Sequence, residues 1–273
     1  MRKLFKALLA SLLCLGLCAC GENSDSDVTV VKVGVVGSYN AQWDTVNELL
    51  KDDNIKIELV PFSDYAQPNS ALNNGDIDMN AFQHHAYLEN EIAKCNYKIA
   101  AIGDTIIAPL GIYPNKEKIT KLEDIKDGDI IAIPSDATNG GRALKILEEV
   151  GLIEVDPATG YLPTKADITK YNVKIEIKEL ESAMLASILP DVTAALINGG
   201  NAYTAGLNSV TDTIYLEDVS KVTDIDRLKN LIAVRSDDVN NEVYKKVVEA
   251  YQTAEVKQTL QDAYKGAFIP AWE

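Results

Sequence analysis

The sequence predicts an α/β protein made of two successive sets of strands and helices, and three observations carry that prediction. Short apolar runs alternate with stretches of helical periodicity from residue 30 to the C-terminus. The pattern changes character around Pro109, where a second set begins. A further apolar run at 229–235 follows the second set and could carry the chain back to the first, a return that periodicity alone leaves open.

Val30 to Val36 reads as a buried strand stopped by Gly37, followed by a helix with Trp43, Val46, Leu49 and Leu50 near one face. Ile55, Ile57 and Leu59 alternate as a second strand. "NNGDIDMNAF" gives a turn at Gly75 and a short strand after it. Tyr87, Leu88, Ile92 and Cys95 then suggest a helix, and "KIAAIGDTIIAPLGIY" reads as one long extended stretch. In the second set, Ile130 to Ile133 is a strand, and "TNGGRALKILEEVG" is a helix with Leu144, Leu147 and Val150 in phase and Gly151 as its C-cap. "NVKIEIKEL" and "VTAALING" are two more strands, "LKNLIAVRS" another, and the chain closes with a helical stretch from Asn241 to about Lys265.

The N-terminus bounds the compartment. Arg2, Lys3 and Lys6 precede an apolar run from Ala7 to Ala19 that is too short to span a bilayer and fits a secretory leader. It ends in Leu17-Cys18-Ala19-Cys20, which resembles a bacterial lipobox. Residues 1–19 are therefore expected to be a lipoprotein signal peptide, Cys20 the lipidated residue, and 20–29 the anchor and a polar tether. The expected location is extracytoplasmic, held to the cell membrane by lipid. Loss of the leader leaves 23 basic against 41 acidic residues, a net −18, which argues against binding nucleic acid or an anionic bilayer surface. Cys14 and Cys18 go with the leader and Cys20 takes the lipid, which leaves only Cys95 in the folded part, so no internal disulfide can form, and its simplest role is buried apolar filler.

Three motifs carry chemistry. Asp136 to Arg142 follows a strand and opens a helix, whose free N–H groups favour an anion. Gly140 and Gly141 would let backbone approach a ligand, and Arg142 could pair bidentately with a carboxylate. The same residues also fit a plain N-capped helix with a surface arginine. "INGGN" sets Asn198 and Asn201 beside two glycines, suited to an ammonium and a carboxylate or to a simple turn. Around His84 and His85 lie Tyr65, Phe82 and Tyr87, either a slot for an apolar side chain or ordinary core. The adjacent histidines have no H-E-x-x-H spacing and no cysteine partner nearby in their motif, so no metal and no cofactor are expected there.

"SDYAQPNSALNNGDIDMNAFQHHAYL", "DATNGGRALKILEEVGLI" and "AALING" stand in the order and spacing of the NlpA/MetQ lipoproteins, the substrate-binding proteins of methionine ABC importers. The resemblance runs from "VKVGVVGS" to "KGAFIPAW". It implies a periplasmic-binding-protein fold of type 2, with two lobes joined by two crossover strands: residues 30–110 plus 229–273, and residues 111–228. It implies an amino-acid ligand, L-methionine first, held between the lobes of a monomer and passed to the transmembrane subunits of an ABC permease. Tyr65, Phe82, His84 and Tyr87 would line the side-chain pocket, Asn139 and Arg142 would hold the carboxylate, and Asn198 would help fix the zwitterion. His85 falls where relatives vary.

Two departures touch the ligand. "GSYNAQWDTV" replaces a smaller Gly- or Pro-containing loop, so Trp43 reaches the cleft, reshapes it or packs on the lobe. "INGGNAYTAGL" carries an extra glycine after Asn198, which leaves Tyr203 unplaced and Asn201 a further candidate. D-methionine, another apolar amino acid or a Met-containing dipeptide are the alternative ligands. An extracellular hydrolase would need a nucleophile with a base, and no serine sits in a G-x-S-x-G context.

Overall fold

The computed structural model describes residues 28–272, so the leader, Cys20 and the tether up to residue 27 lie outside the described residues. The first set runs β1 (Thr29–Val36), α1 (Ala41–Leu49), β2 (Ile55–Phe62), α2 (Gln67–Asn74), the two-residue β3 (Met79–Asn80), α3 (His85–Cys95) and β4 (Ile99–Ile107). The second runs β5 (Leu110–Pro114), β6 (Ile130–Pro134), α4 (Ala137–Glu149), β7 (Ile153–Val155), β8 (Ile168–Tyr171), β9 (Glu176–Leu180), β10 (Ala194–Asn198), α5 (Gly199–Thr204) and β11 (Tyr215–Leu216). The chain then returns as β12 (Lys229–Arg235), α6 (Glu242–Tyr251), α7 (Ala254–Tyr264) and β13 (Ile269–Pro270).

Two mixed sheets result, ordered β13-β4-β12-β3-β1-β2 and β11-β5-β10-β6-β9, with β7 and β8 as a separate ribbon. β1 pairs in parallel with β2 and β3, while β12 runs antiparallel between β3 and β4. The second sheet repeats the plan: β6 is parallel to β9 and β10, and β5 is antiparallel to β10. The chain thus crosses between sheets twice, once through Ala108 and Pro109 and once through residues 217–228. This is the two-lobe, two-crossover α/β fold that the resemblance implies.

The long extended stretch is therefore two strands in different sheets. Proline has no N–H to give a ladder and holds the residue before it extended, so Ala108-Pro109 lets the chain leave one sheet without turning back. The C-terminal helical stretch is likewise two helices. Gln252 ends α6, and the Thr253 hydroxyl caps α7 by accepting the Val256 N–H at 3.3 Å. Thr29, assigned to the tether by sequence, pairs with Ile55 in β1.

Both faces of each sheet are covered, which is why the strands read as near-continuous apolar runs. Val31, Val33 and Val35 pack towards Trp43, Val247 and Leu260, and the opposite face packs on Leu72, Ile77, Leu88 and Leu231. In the second lobe Ile131, Ile133, Leu144 and Leu196 form one core and Tyr113, Ala132, Leu185 and Ile197 the other. Cys95 is exposed rather than buried filler: the buried side of α3 is confined to Ala86, Tyr87 and Leu88 at its start, and Cys95 stands at its last position. A small separate cluster of Val36, Phe82 and Tyr87 sits at the carboxyl end of β1 and marks the mouth between the lobes.

Candidate functional site

The carboxyl ends of β3, β6 and β10 and the crossover segments meet around a narrow cleft with aromatic rings, amides, His84 and Arg142 in its wall. Six of the seven residues singled out by sequence stand in its wall with well-defined neighbours, and the seventh, Asn198, completes it.

One side is aromatic. Tyr65, Phe82 and Tyr87 form a triangle with ring centroids 5.9 Å, 6.1 Å and 5.9 Å apart, two of the three contacts edge-on. The Tyr87 hydroxyl donates to the Tyr65 carbonyl at 3.0 Å, which locks the ring in place. Burial raises both phenols, so this wall is neutral at physiological pH.

His84 belongs to the polar side. Its backbone is extended and it caps α3, the ring Nδ1 accepting the Tyr87 N–H at 3.1 Å. With Nδ1 an acceptor, Nε2 carries the proton and donates to Asn139 Oδ1 at 3.3 Å. Burial, and then the Arg142 charge, push the imidazole down to about 4. His85 points elsewhere, its Nε2 2.7 Å from Asp104 Oδ1 on the half-exposed flank. The neighbours share no partner. Among the described residues no group of three or more His, Cys, Asp or Glu could hold a metal ion.

The depressed imidazole has a stability consequence. An unfolded His84 takes a proton near pH 6.5 and the folded one only near 4. Its contribution is therefore complete above pH 6.5 and declines as the pH falls towards 4, by about 3 kcal/mol in all. Urea unfolding at pH 7 and pH 4 should show that extra acid sensitivity in the parent chain and its disappearance in His84→Gln. Equal pH dependence in both would rule the effect out.

Asn139 is the hub of the polar side. Its Oδ1 accepts from Asn198 Nδ2 at 2.7 Å as well as from His84, while its Nδ2 donates to Asp136 Oδ1 and Oδ2 at 3.1 and 3.0 Å. Asp136 in turn caps α4 by accepting the Asn139 N–H at 2.9 Å. Both contacts to the one Asp136 carboxylate use a single N–H, so the side chain orients Asn198 and His84 and keeps its second amide hydrogen for a ligand. Asn198 differs: its Oδ1 is buried and has no hydrogen-bond partner among the described residues. A buried amide oxygen without a donor costs about 1–3 kcal/mol, so the position calls for a donor from a ligand.

Arg142 is buried, and the bidentate pairing expected with a ligand is taken by the protein. Its Nε donates to Glu217 Oε1 at 2.9 Å, and its Nη2 donates to Glu217 Oε2 and, at 3.1 Å, to the Ala108 carbonyl. Burial opposes the charge, but Glu217 outweighs it and keeps the guanidinium ionised. Nη1 makes no hydrogen bond to protein among the described residues.

A family model described as NlpA lipoprotein matches residues 31–272. The chain belongs to that family. The D-methionine-binding lipoprotein MetQ of Escherichia coli K12 is 37% identical over 274 residues, 99% of this chain and 98% of the relative. A nutrient-binding protein from Burkholderia cenocepacia, solved bound to methionine, is 36% identical with a TM-score of 0.83 over 89% of this chain and all of that one. The substrate-binding protein of a methionine transporter from Streptococcus pneumoniae is 34% identical, TM-score 0.83, covering 89% and 96%.

In this NlpA lipoprotein the two departures resolve by packing. Trp43 does not reach the cleft: it is 1% exposed, with its ring 5.1 Å from Tyr251 in the core of the first lobe. Asn201 is also outside, facing a separate surface hollow beside Val36, Gly37 and Phe62. The loop departure acts through Tyr39 instead, which lines the cleft against Gly200, where a Cβ would lie 2.5 Å from the tyrosine ring. The glycines of α4 serve packing, not ligand approach. A Cβ on Gly140 would meet the Pro134 carbonyl at 2.8 Å, and one on Gly141 the 161–162 backbone at 3.1 Å. Sequence reasoning missed Glu217, Tyr39 and Asn230. Asn230 stands on β12, lines the cleft, donates to the Ile106 carbonyl at 3.2 Å and bridges His84 through its backbone. A lone asparagine inside the apolar run "NLIAV" was the available signal.

Proposed function

We propose that this NlpA lipoprotein is a non-enzymatic receptor that binds L-methionine between its lobes and hands it to the permease of an ABC importer. The observation that carries the reading is the orphaned Asn198 Oδ1 set in the same wall as Arg142, opposite an aromatic triangle. An α-ammonium would satisfy the amide oxygen, the carboxylate would take the free guanidinium nitrogen, and a thioether would lie along aromatic edges, a favourable sulfur contact. The names of the relatives support methionine, and their transporter role supports a permease as partner. The lobes, built on β1–β4 with β12–β13 and on β5–β11, would close by hinging at the two crossovers. Cys20 would anchor the monomer to the outer side of the membrane; no helix among the described residues is long and apolar enough to cross it. D-methionine in the same cleft is the second reading, favoured by the name of the Escherichia coli relative.

Thermal unfolding of protein stripped of ligand, alone and with each enantiomer, tests this. A ligand at about 100 times its dissociation constant adds roughly 2.7 kcal/mol, a midpoint rise of roughly 5–10 °C for a chain of this size. The rise should be larger with L-methionine and lost in Arg142→Ala. No shift with either enantiomer would reject methionine.

A further inference from the structure

Arg142 is the one cationic side chain in the cleft wall among the described residues, and the fold neutralises it from behind. Glu217, which belongs to the second crossover, is as buried as the arginine it pairs with, both side chains being 5% exposed. The same carboxylate accepts the Leu110 N–H at 3.1 Å, and Arg142 donates to the Ala108 carbonyl at 3.1 Å. One ion pair therefore holds α4 to both crossovers and fixes which edge of the guanidinium faces the cleft. The other nearby charge, Asp136, is spent on Asn139, Thr138 and the N-terminus of α4.

Resting on the amino-acid reading of this cleft, we infer that Glu217 is a positioning and specificity-determining residue that makes the site select net-neutral zwitterions over anions. Charge balance decides the preference, because the Arg142–Glu217 pair is buried. Arg142 and Glu217 together carry no net charge, and the buried His84 is neutral. A zwitterion adds none, so its carboxylate and ammonium are each met by a dipole or a shared charge. A bare carboxylate would bring an uncompensated negative charge into the cleft, where desolvation is not repaid. An arginine without Glu217 would reverse that preference and welcome the anion.

Calorimetric titration of the purified full-length protein with L-methionine and with 4-(methylsulfanyl)butanoate, which keeps the chain and carboxylate but lacks the ammonium, tests the inference. The parent protein should prefer methionine by at least about tenfold. In Glu217→Gln methionine binding weakens, and the ratio of the two affinities moves by about tenfold or more towards the butanoate. In Glu217→Asp, which keeps the charge, the ratio stays near that of the parent. A merely structural Glu217 would weaken both ligands in proportion, and an unchanged ratio in Glu217→Gln overturns the inference. If that variant does not fold, the parent alone decides, because equal affinity for the two ligands is equally fatal. Absence of binding by the parent to either ligand would instead remove the amino-acid reading itself.

Discussion

Arg142→Met and Glu217→Leu should each cost about 3–5 kcal/mol of folding stability, and the double variant should cost much less than their sum. Each single change strands a buried charge in a wall from which water is excluded, whereas the double change removes both charges together. Recovery should not be complete. Leu110, itself fully buried, loses the carboxylate that accepts its N–H, and the Ala108 carbonyl loses its donor. Those two orphaned backbone groups account for a residue of about 1–3 kcal/mol each at most. Equilibrium urea unfolding of the four proteins measures the coupling. Strictly additive costs would show that the pair does not act as a unit.

Asn198→Leu should reduce methionine affinity by about 10- to 150-fold, the range for losing a hydrogen bond to a charged group. The fold should tolerate the change, since Asn198 Oδ1 has no partner to lose and only the bond to Asn139 is broken. Asn139→Leu should weaken binding as well, by a different route. It lines the cleft and holds Asn198 and His84 in place through one oxygen. The two variants are told apart by stability: Asn139→Leu also releases the Asp136 carboxylate from its two side-chain bonds and should lower the unfolding midpoint, whereas Asn198→Leu should leave it nearly unchanged. Methionine binding at parental strength in Asn198→Leu would refute the proposed ammonium contact.

Local features were legible in the sequence because they depend on neighbours along the chain. The strands of β1, β2, β6 and β10, the capped start of α4 and the turn at Gly75 all follow from apolar spacing, cap chemistry and a left-handed glycine, φ +83°. The aromatic wall and His84 stand in one contiguous motif, residues 63–88, which is why the resemblance carried by that stretch could point to them. What depends on distant segments was not legible. The extended stretch through Pro109 reads as one element, and only pairing with β12 and β10 divides it between sheets. Trp43 offered three positions, and the core beneath α6 selected one of them. Arg142 read as a clamp open to a ligand, because the carboxylate that occupies its bidentate edge comes from 75 residues later. The sequence by itself pointed to the aromatic wall, His84, Asn139, Arg142 and Asn198, and missed Tyr39 and Asn230, which stand in the same cleft. The tertiary structure alone decided which of their charges and hydrogen-bonding groups are already satisfied, because a buried group is paired by whatever the fold brings to it, and that leaves Asn198 Oδ1 open and half of Arg142 already bound.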